Sequence, residues 1–236
     1  MSRETEQGVA AANATESVRG ETRPLVPYYE DDAVTIFHAD WRDVLPEADV
    51  LVTDPPFGIA YETGAARVEG SPRSIAGDLD TTERDELLAW WGPKPALVFG
   101  SWKVQRPAAT HTRLIWDTKG ALGMGDLSVP WKPSDQEIYV IGKGFEGPRT
   151  SNVLRVAPEQ AMGRLHPHQK PVALMGLLLA KCRFDVVLDP FMGSGSTLRA
   201  AKDMGRRAIG IEIEERYCEA AALRMGQEVF DVRGVA

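Results

Sequence analysis

A doubly wound α/β fold with a mostly parallel sheet is predicted, on three observations. From Ala33 onward, short runs of branched and aromatic residues alternate with helical segments. Runs such as DVVLD at 185–189 are apolar almost throughout, as in a sheet covered on both faces. Two runs end in an aspartate followed at once by proline, VTDPPFG at 52–58 and VVLDPFMGSGS at 186–196. Abrupt strand ends of this kind shape the carboxyl edge of a parallel sheet, where ligands bind.

The elements follow in order. Residues 1–24 are polar, charged and alanine-rich without a hydrophobic centre, so a disordered tail is expected and no signal peptide. Residues 25–236 are expected to form one domain. Strands are expected at 34–38, 50–53, 96–100, 113–117, 137–142, 185–189 and 207–213, and helices at 82–91, 171–182, 196–204 and 214–225. The first helix opens with Thr82 and Asp85 at capping-box spacing. Pro171 suits a first helical turn, and Gly205 suits a helix C-terminus. Connections at 58–80 and 142–170 are longer than compact domains usually carry, which marks them as functional or disordered.

Composition narrows the classes. Apolar residues make up 43% of 236, enough for a packed core. No apolar run approaches the ~18–20 residues of a membrane-spanning helix. Cys182 and Cys218 lack metal-ligand spacing and suggest no disulfide framework, so a reducing cytoplasm is expected. A net charge of −7 lacks the basic footprint of most nucleic-acid binders. Positive charge is nonetheless uneven: Arg67 and Arg73 share one long loop, and Lys143, Arg149, Arg155 and Arg164 the other. A local basic cleft on an acidic body remains open.

The strongest chemical signal lies in 186–213. After Asp189 the chain turns through Gly193, Ser194 and Gly195 into a helix, and glycines there let a ligand approach the backbone. Glu212 closes the next strand, where an acid can accept hydrogen bonds from both ribose hydroxyls of an adenosine cofactor. A nicotinamide dinucleotide fits less well. The third glycine of that fingerprint is missing, and Asp189 would face a pyrophosphate. An acidic strand end suits a cationic ligand, and S-adenosylmethionine carries both an ammonium and a sulfonium.

DPPFG at 54–58, HPHQKP at 166–171 and DPFMGSGST at 189–197 occur in that order. Together they resemble the amino-methyltransferases of DNA, in the permuted class whose catalytic motif precedes the cofactor motif. The likeness spans about 33–225 and is nearest to compact phage and mobile-element members, such as accompany restriction–modification. It implies a circularly permuted Rossmann-like methyltransferase fold, S-adenosylmethionine as cofactor and double-stranded DNA as partner, with no membrane and a second subunit as a candidate partner.

The resemblance also gives DPPFG a chemistry. An exocyclic amino group is a poor nucleophile because its lone pair is delocalised into the ring. Asp54 and the Pro55 carbonyl would accept its two hydrogens, with Pro55 and Pro56 holding both acceptors rigid. Phe57 would stack on an extruded base, and Gly58 would keep the loop clear of it. By resemblance Asp40 accepts from the cofactor adenine, although an aspartate capping a turn explains it equally. Phe191 packs on that adenine, and Lys170 pairs with the methionyl carboxylate. Asp54, Asp189, Gly193, Ser194, Gly195, Ser196, Thr197 and Glu212 complete the expected cofactor site. Methylation at carbon 5 of cytosine is excluded, since it needs a nucleophilic cysteine and both cysteines sit on apolar helices. His166 and His168 have no third ligand nearby, so no metal is expected.

Adenine is the expected base, because aspartate before the two prolines resembles adenine enzymes whereas enzymes of the cytosine 4-amino group more often carry serine. The 4-amino group of cytosine in DNA, or an amino group of RNA or of a protein amide, is the alternative substrate, and a non-catalytic cofactor-binding or DNA-interaction module the alternative class. Arg67, Arg73, Lys143 and Arg149 are the expected DNA contacts, with Arg155 and Arg164 beside them.

Overall fold

The structure is a computed structural model that describes residues 15–18, 21–58, 80–120, 125, 127–158 and 169–227. Its strands are β1 (Thr15–Val18), β2 (Glu21–Pro24), β3 (Tyr29–Glu30), β4 (Val34–His38), β5 (Val50–Thr53), β6 (Ala96–Gly100), β7 (Thr110–Asp117), β8 (Asp135–Ile141), β9 (Val153–Arg155), β10 (Val186–Asp189) and β11 (Arg207–Glu212). The helices are α1 (Thr82–Trp91), α2 (Val172–Leu179), α3 (Ser196–Asp203) and α4 (Glu215–Met225), and Trp41–Asp43 makes a 3-10 turn.

Nine strands form one sheet in the order β3-β4-β11-β10-β5-β6-β8-β7-β9. Within it β3 and β8 run against the other strands, so the sheet is mixed and mostly parallel. The pleat explains how both faces are buried. Val50 and Val52 point into the layer containing Leu174, Leu178, Leu198 and Ala221 of α2, α3 and α4. Leu51, between them, points to the opposite layer with Leu87 and Trp91 of α1. Period-two alternation thus serves two apolar layers at once, and each fully buried side chain contributes roughly 1.5–3 kcal/mol.

Several expectations change in detail. Within the stretch expected to be a disordered tail, β1 and β2 pair as an antiparallel hairpin. The first helix is capped one residue earlier than expected: Thr81 is its N-cap, Thr81 Oγ1 donates to Asp85 at 2.7 Å, and Asp80 accepts from the Thr82 N–H at 2.8 Å. Pro171 sits at the N-cap of α2 and not inside its first turn. Among the described residues no helix is long and apolar enough to cross a membrane.

Candidate active site

The parallel run β4-β11-β10-β5 brings four carboxylates to one edge of the sheet. Asp40, Glu212, Asp189 and Asp54 end or closely follow those strands. That edge is the ligand edge of a doubly wound sheet.

At β5 the last strand residue, Thr53, is buried and donates Oγ1 to Asp189 Oδ1 at 2.8 Å. The two oxygens of Asp54 then fare differently. Oδ2 accepts from Lys170 Nζ, and Lys170 is only 6% exposed. Oδ1 is buried and has no hydrogen-bond partner among the described residues. A buried carboxylate oxygen left unpaired is costly, so it is the natural seat for a donor from outside. The Lys170 ammonium lies 5.0 Å from the ring centre of Phe99 and 5.8 Å from that of Phe57. An ion pair wedged between two aromatic faces holds the acceptor still. Gly58 has φ +70°, and a side chain there would run into the backbone of Asp80. The glycine lets the loop pack closely against the start of α1.

At β10 the picture is closed. Asp189 is 3% exposed, and its Oδ1 also accepts from the Phe191 N–H at 3.2 Å. Burial pushes its carboxyl up to about 7, against hydrogen bonds from Thr197, Thr53 and Phe191, and the nearby Asp54 charge adds to the rise. Asp189 thus ties β5, the turn and α3 together. Ser194 Oγ donates to Gln169 Oε1 at 3.0 Å in a buried contact, and Ser196 Oγ accepts from Arg224 at 2.9 Å. Ser194, Ser196 and Thr197 therefore turn their side chains into the protein. Gly195, the N-cap of α3, has φ +77°, and a Cβ there would come within 3.0 Å of Ala221.

Glu212 is the open member of this half. Oε2 accepts from the Gly193 N–H at 3.0 Å and Oε1 from the Glu214 N–H at 2.9 Å. Burial raises its pKa, and these amides oppose the rise. The Ile213 N–H is a third donor, and the roughly four acceptor sites of a carboxylate leave room for one more. Asp40 caps the Trp41–Asp43 turn, accepting from the Arg42 N–H at 2.9 Å and from its guanidinium. Phe191 packs partly buried against the α1-side core. Cys182 and Cys218 are free and buried, and burial pushes their thiols up to about 11 and about 12, away from thiolate chemistry.

The basic residues divide. Because β8 runs against β6, the chain leaves it at the opposite edge: a side chain on Gly142 would meet the Lys94 carbonyl, just before β6. Lys143 follows there, and Pro148, next to Arg149, accepts from Lys181 beyond the end of α2. Lys143 and Arg149 are therefore not brought to the Asp54 edge. Arg155 is, at the carboxyl end of β9, with its Nε 3.6 Å from Asp117. Arg67, Arg73, Arg164, His166 and His168 lie outside the described residues. Among the described residues no three His, Cys, Asp or Glu side chains are placed to hold a metal. Sequence reasoning missed Thr53, Phe99 and Gln169; Thr53, adjoining Asp54 at the strand end, was the one with a visible signal.

Comparisons with known proteins give the family and the fold. The family model N6_N4_Mtase, DNA methylase, matches residues 83–223. The putative methylase YubD of Escherichia coli (strain K12) is 31% identical over 202 residues, 75% of this chain and 81% of that one. The type II methyltransferase M.ScaI of Streptomyces caespitosus is 34% identical over 101 residues, 42% of this chain and only 31% of that relative. Among solved structures, the M1.HpyAVI–SAM complex superposes with a TM-score of 0.60 at 22% identity, over 82% of this chain and 100% of that one. The cytosine-N4-specific PvuII DNA methyltransferase gives 0.61 at 18% identity, over 86% and 89%. These structural likenesses establish the Rossmann-like methyltransferase fold. With the family model covering more than half of its length and YubD matched along most of both chains, the chain belongs to the N6_N4 DNA methylase family.

Proposed function

We propose that this chain methylates the exocyclic amino group of adenine in double-stranded DNA, using S-adenosylmethionine. The observation that carries the reading is the buried Oδ1 of Asp54, unpaired among the described residues, on a carboxylate held by Lys170 at the carboxyl edge of β5. Chain order supports a permuted entry. Counted from β10 as strand one, the neighbours β4-β11-β10-β5-β6 run 3-2-1-4-5, the doubly wound order begun in its middle.

The residues present fit the cofactor. Glu212 has acceptor capacity for the ribose hydroxyls, and Asp40 and Phe191 flank it for the adenine. Bound there, S-adenosylmethionine supplies an electrophilic methyl on a sulfonium. Asp54 Oδ1 and the Pro55 carbonyl accept the two amino hydrogens of the target base, which frees the nitrogen lone pair. The Pro55–Pro56 step holds both acceptors without reorganisation. The nitrogen that gains the methyl, as the methyl's bond to sulfur breaks, would become positive, and the Asp54 carboxylate would stabilise that charge and receive the departing proton. Phe57 stacks on the extruded base, offsetting part of the few kcal/mol that extrusion costs. Lys170 keeps Asp54 oriented, a different use from the cofactor carboxylate that the motif resemblance implies.

Asp54 before the two prolines supports adenine, while PvuII methyltransferase, of like fold, is cytosine-N4-specific. Nucleoside digestion of unmethylated plasmid DNA after incubation with enzyme and labelled cofactor decides the base. N6-methyladenine is expected; methylcytosine alone would overturn the choice.

A further inference from the structure

The packing leaves two large aromatic side chains unaccounted for. Trp41, Trp91 and Trp116 are at most 6% exposed, whereas Trp102 and Trp131 are 70% and 78% exposed. Trp102 follows β6, and Trp131 precedes β8 in the connection from β7. Register places both at the catalytic edge. Thr53 pairs with Val98 and Gly100 with Glu137, so the chain leaves β6 beside the Asp54 loop, and Asp117 pairs with Asp135 where the β7–β8 connection closes. Leu127, on that connection, is 79% exposed. Trp102, Trp131 and Leu127 therefore leave large apolar side chains exposed on two loops of the catalytic edge, the kind of surface that a partner covers.

Charge identifies the partner. Loops 101–109 and 118–134 hold Lys103, Arg106, Lys119 and Lys132 against the single acid Asp126, on a chain of net charge −7. Arg106 is occupied by Glu137, at 2.8 Å, but Lys103, Lys119 and Lys132 are exposed. A second copy docked about a two-fold axis would bring this positive patch against itself. A polyanion with flat faces matches both features.

Resting on the proposed DNA substrate, we propose that the described residues of these two loops, Trp102, Lys103, Lys119, Trp131 and Lys132, form the DNA-facing surface. Trp102 and Trp131 stack on bases around the extruded nucleotide, and Lys103, Lys119 and Lys132 meet phosphates. The surface replaces Lys143 and Arg149, which lie at the far edge. Stacking on an aromatic face is tolerant of sequence, so these contacts set affinity more than target choice.

The test measures binding of a fluorescein-labelled random-sequence duplex pool by anisotropy at several salt concentrations. Trp102→Ala with Trp131→Ala is expected to weaken binding about tenfold or more, and the Phe pair at the same sites to restore most of it. Replacing Lys103, Lys119 and Lys132 by Gln is expected to reduce the salt slope by about three. Cofactor affinity by calorimetry and the melting temperature should stay at wild-type values throughout. DNA affinity and slope unchanged in both variants would overturn the proposal. So would a wild-type dimer, seen by sedimentation, that the Trp variants dissociate while binding DNA normally; the occupant would then be a second copy. Wild-type protein that neither binds nor methylates DNA would overturn the functional reading, and this surface with it.

Discussion

Two adjacent parallel strands of this sheet end in the same way, with aspartate, proline and, within three residues, phenylalanine, yet the two ends do opposite work. At β5, Asp54 keeps one oxygen unpaired among the described residues while a buried lysine holds the other. At β10, Asp189 is enclosed, with donors from Thr53, the Phe191 amide and Thr197. The first arrangement is an acceptor waiting for a donor. The second is a clamp that fixes where the first one stands, because Thr53 adjoins Asp54 and donates directly to Asp189. What separates them is the completeness of hydrogen bonding and not the residue type.

Breaking the clamp should produce the largest loss of stability. Asp189→Ala strands the donors of Thr53, Phe191 and Thr197 in the core, and unsatisfied buried groups cost ~1–3 kcal/mol each. An overall loss of about 3 kcal/mol is expected, lowering the melting temperature by roughly 6–12 °C in calorimetry. Glu212 sharpens the contrast, since it serves the turn like Asp189 but keeps an acceptor site free like Asp54. Glu212→Ala is expected to weaken S-adenosylmethionine binding at least about tenfold by calorimetry, the loss of a charged acceptor for the ribose. Equal affinity would leave it purely a turn residue.

The clamp also predicts a pH effect. With the Asp189 carboxyl raised to about 7, the folded protein holds a proton that the unfolded chain has released. That stabilisation is full below the ordinary carboxylate range and is lost as pH rises through about 7. Asp189→Asn removes it. Urea unfolding of the variant should show stability falling less steeply between about pH 4 and 7, by up to about 1.4 kcal/mol per pH unit. Identical slopes would mean that the proton is not held there.

Much of this was legible in the sequence, because it rests on local chemistry. Apolar runs bounded by Asp-Pro or glycine located β5 and β10, and helical spacing located α1 to within its cap. The short strands β3 and β9 carry too few residues to show a period. The site was half legible. Spacing brought Asp54 and the glycine turn together, but it could not show that Ser194 and Ser196 face inward, since that depends on Gln169 and Arg224, 25 and 28 residues away in the chain. Nor does composition reveal strand direction. Lys143 and Arg149 are expected among the DNA contacts as positive charge in a long connection, and only the reversal of β8 shows that this connection starts at the opposite edge.

The central claim is that the open oxygen of Asp54 is the acceptor in catalysis, and Asp54→Asn tests it most directly. Lys170 would claim the one remaining oxygen, turning the amide NH2 into the place of Oδ1, so that a donor would face the hydrogens of the target amine. Single-turnover methylation of plasmid DNA is expected to fall by at least about a hundredfold. S-adenosylmethionine binding, measured by calorimetry on the same variant, should stay at the wild-type value. Methyl transfer at the wild-type rate in Asp54→Asn would contradict the account.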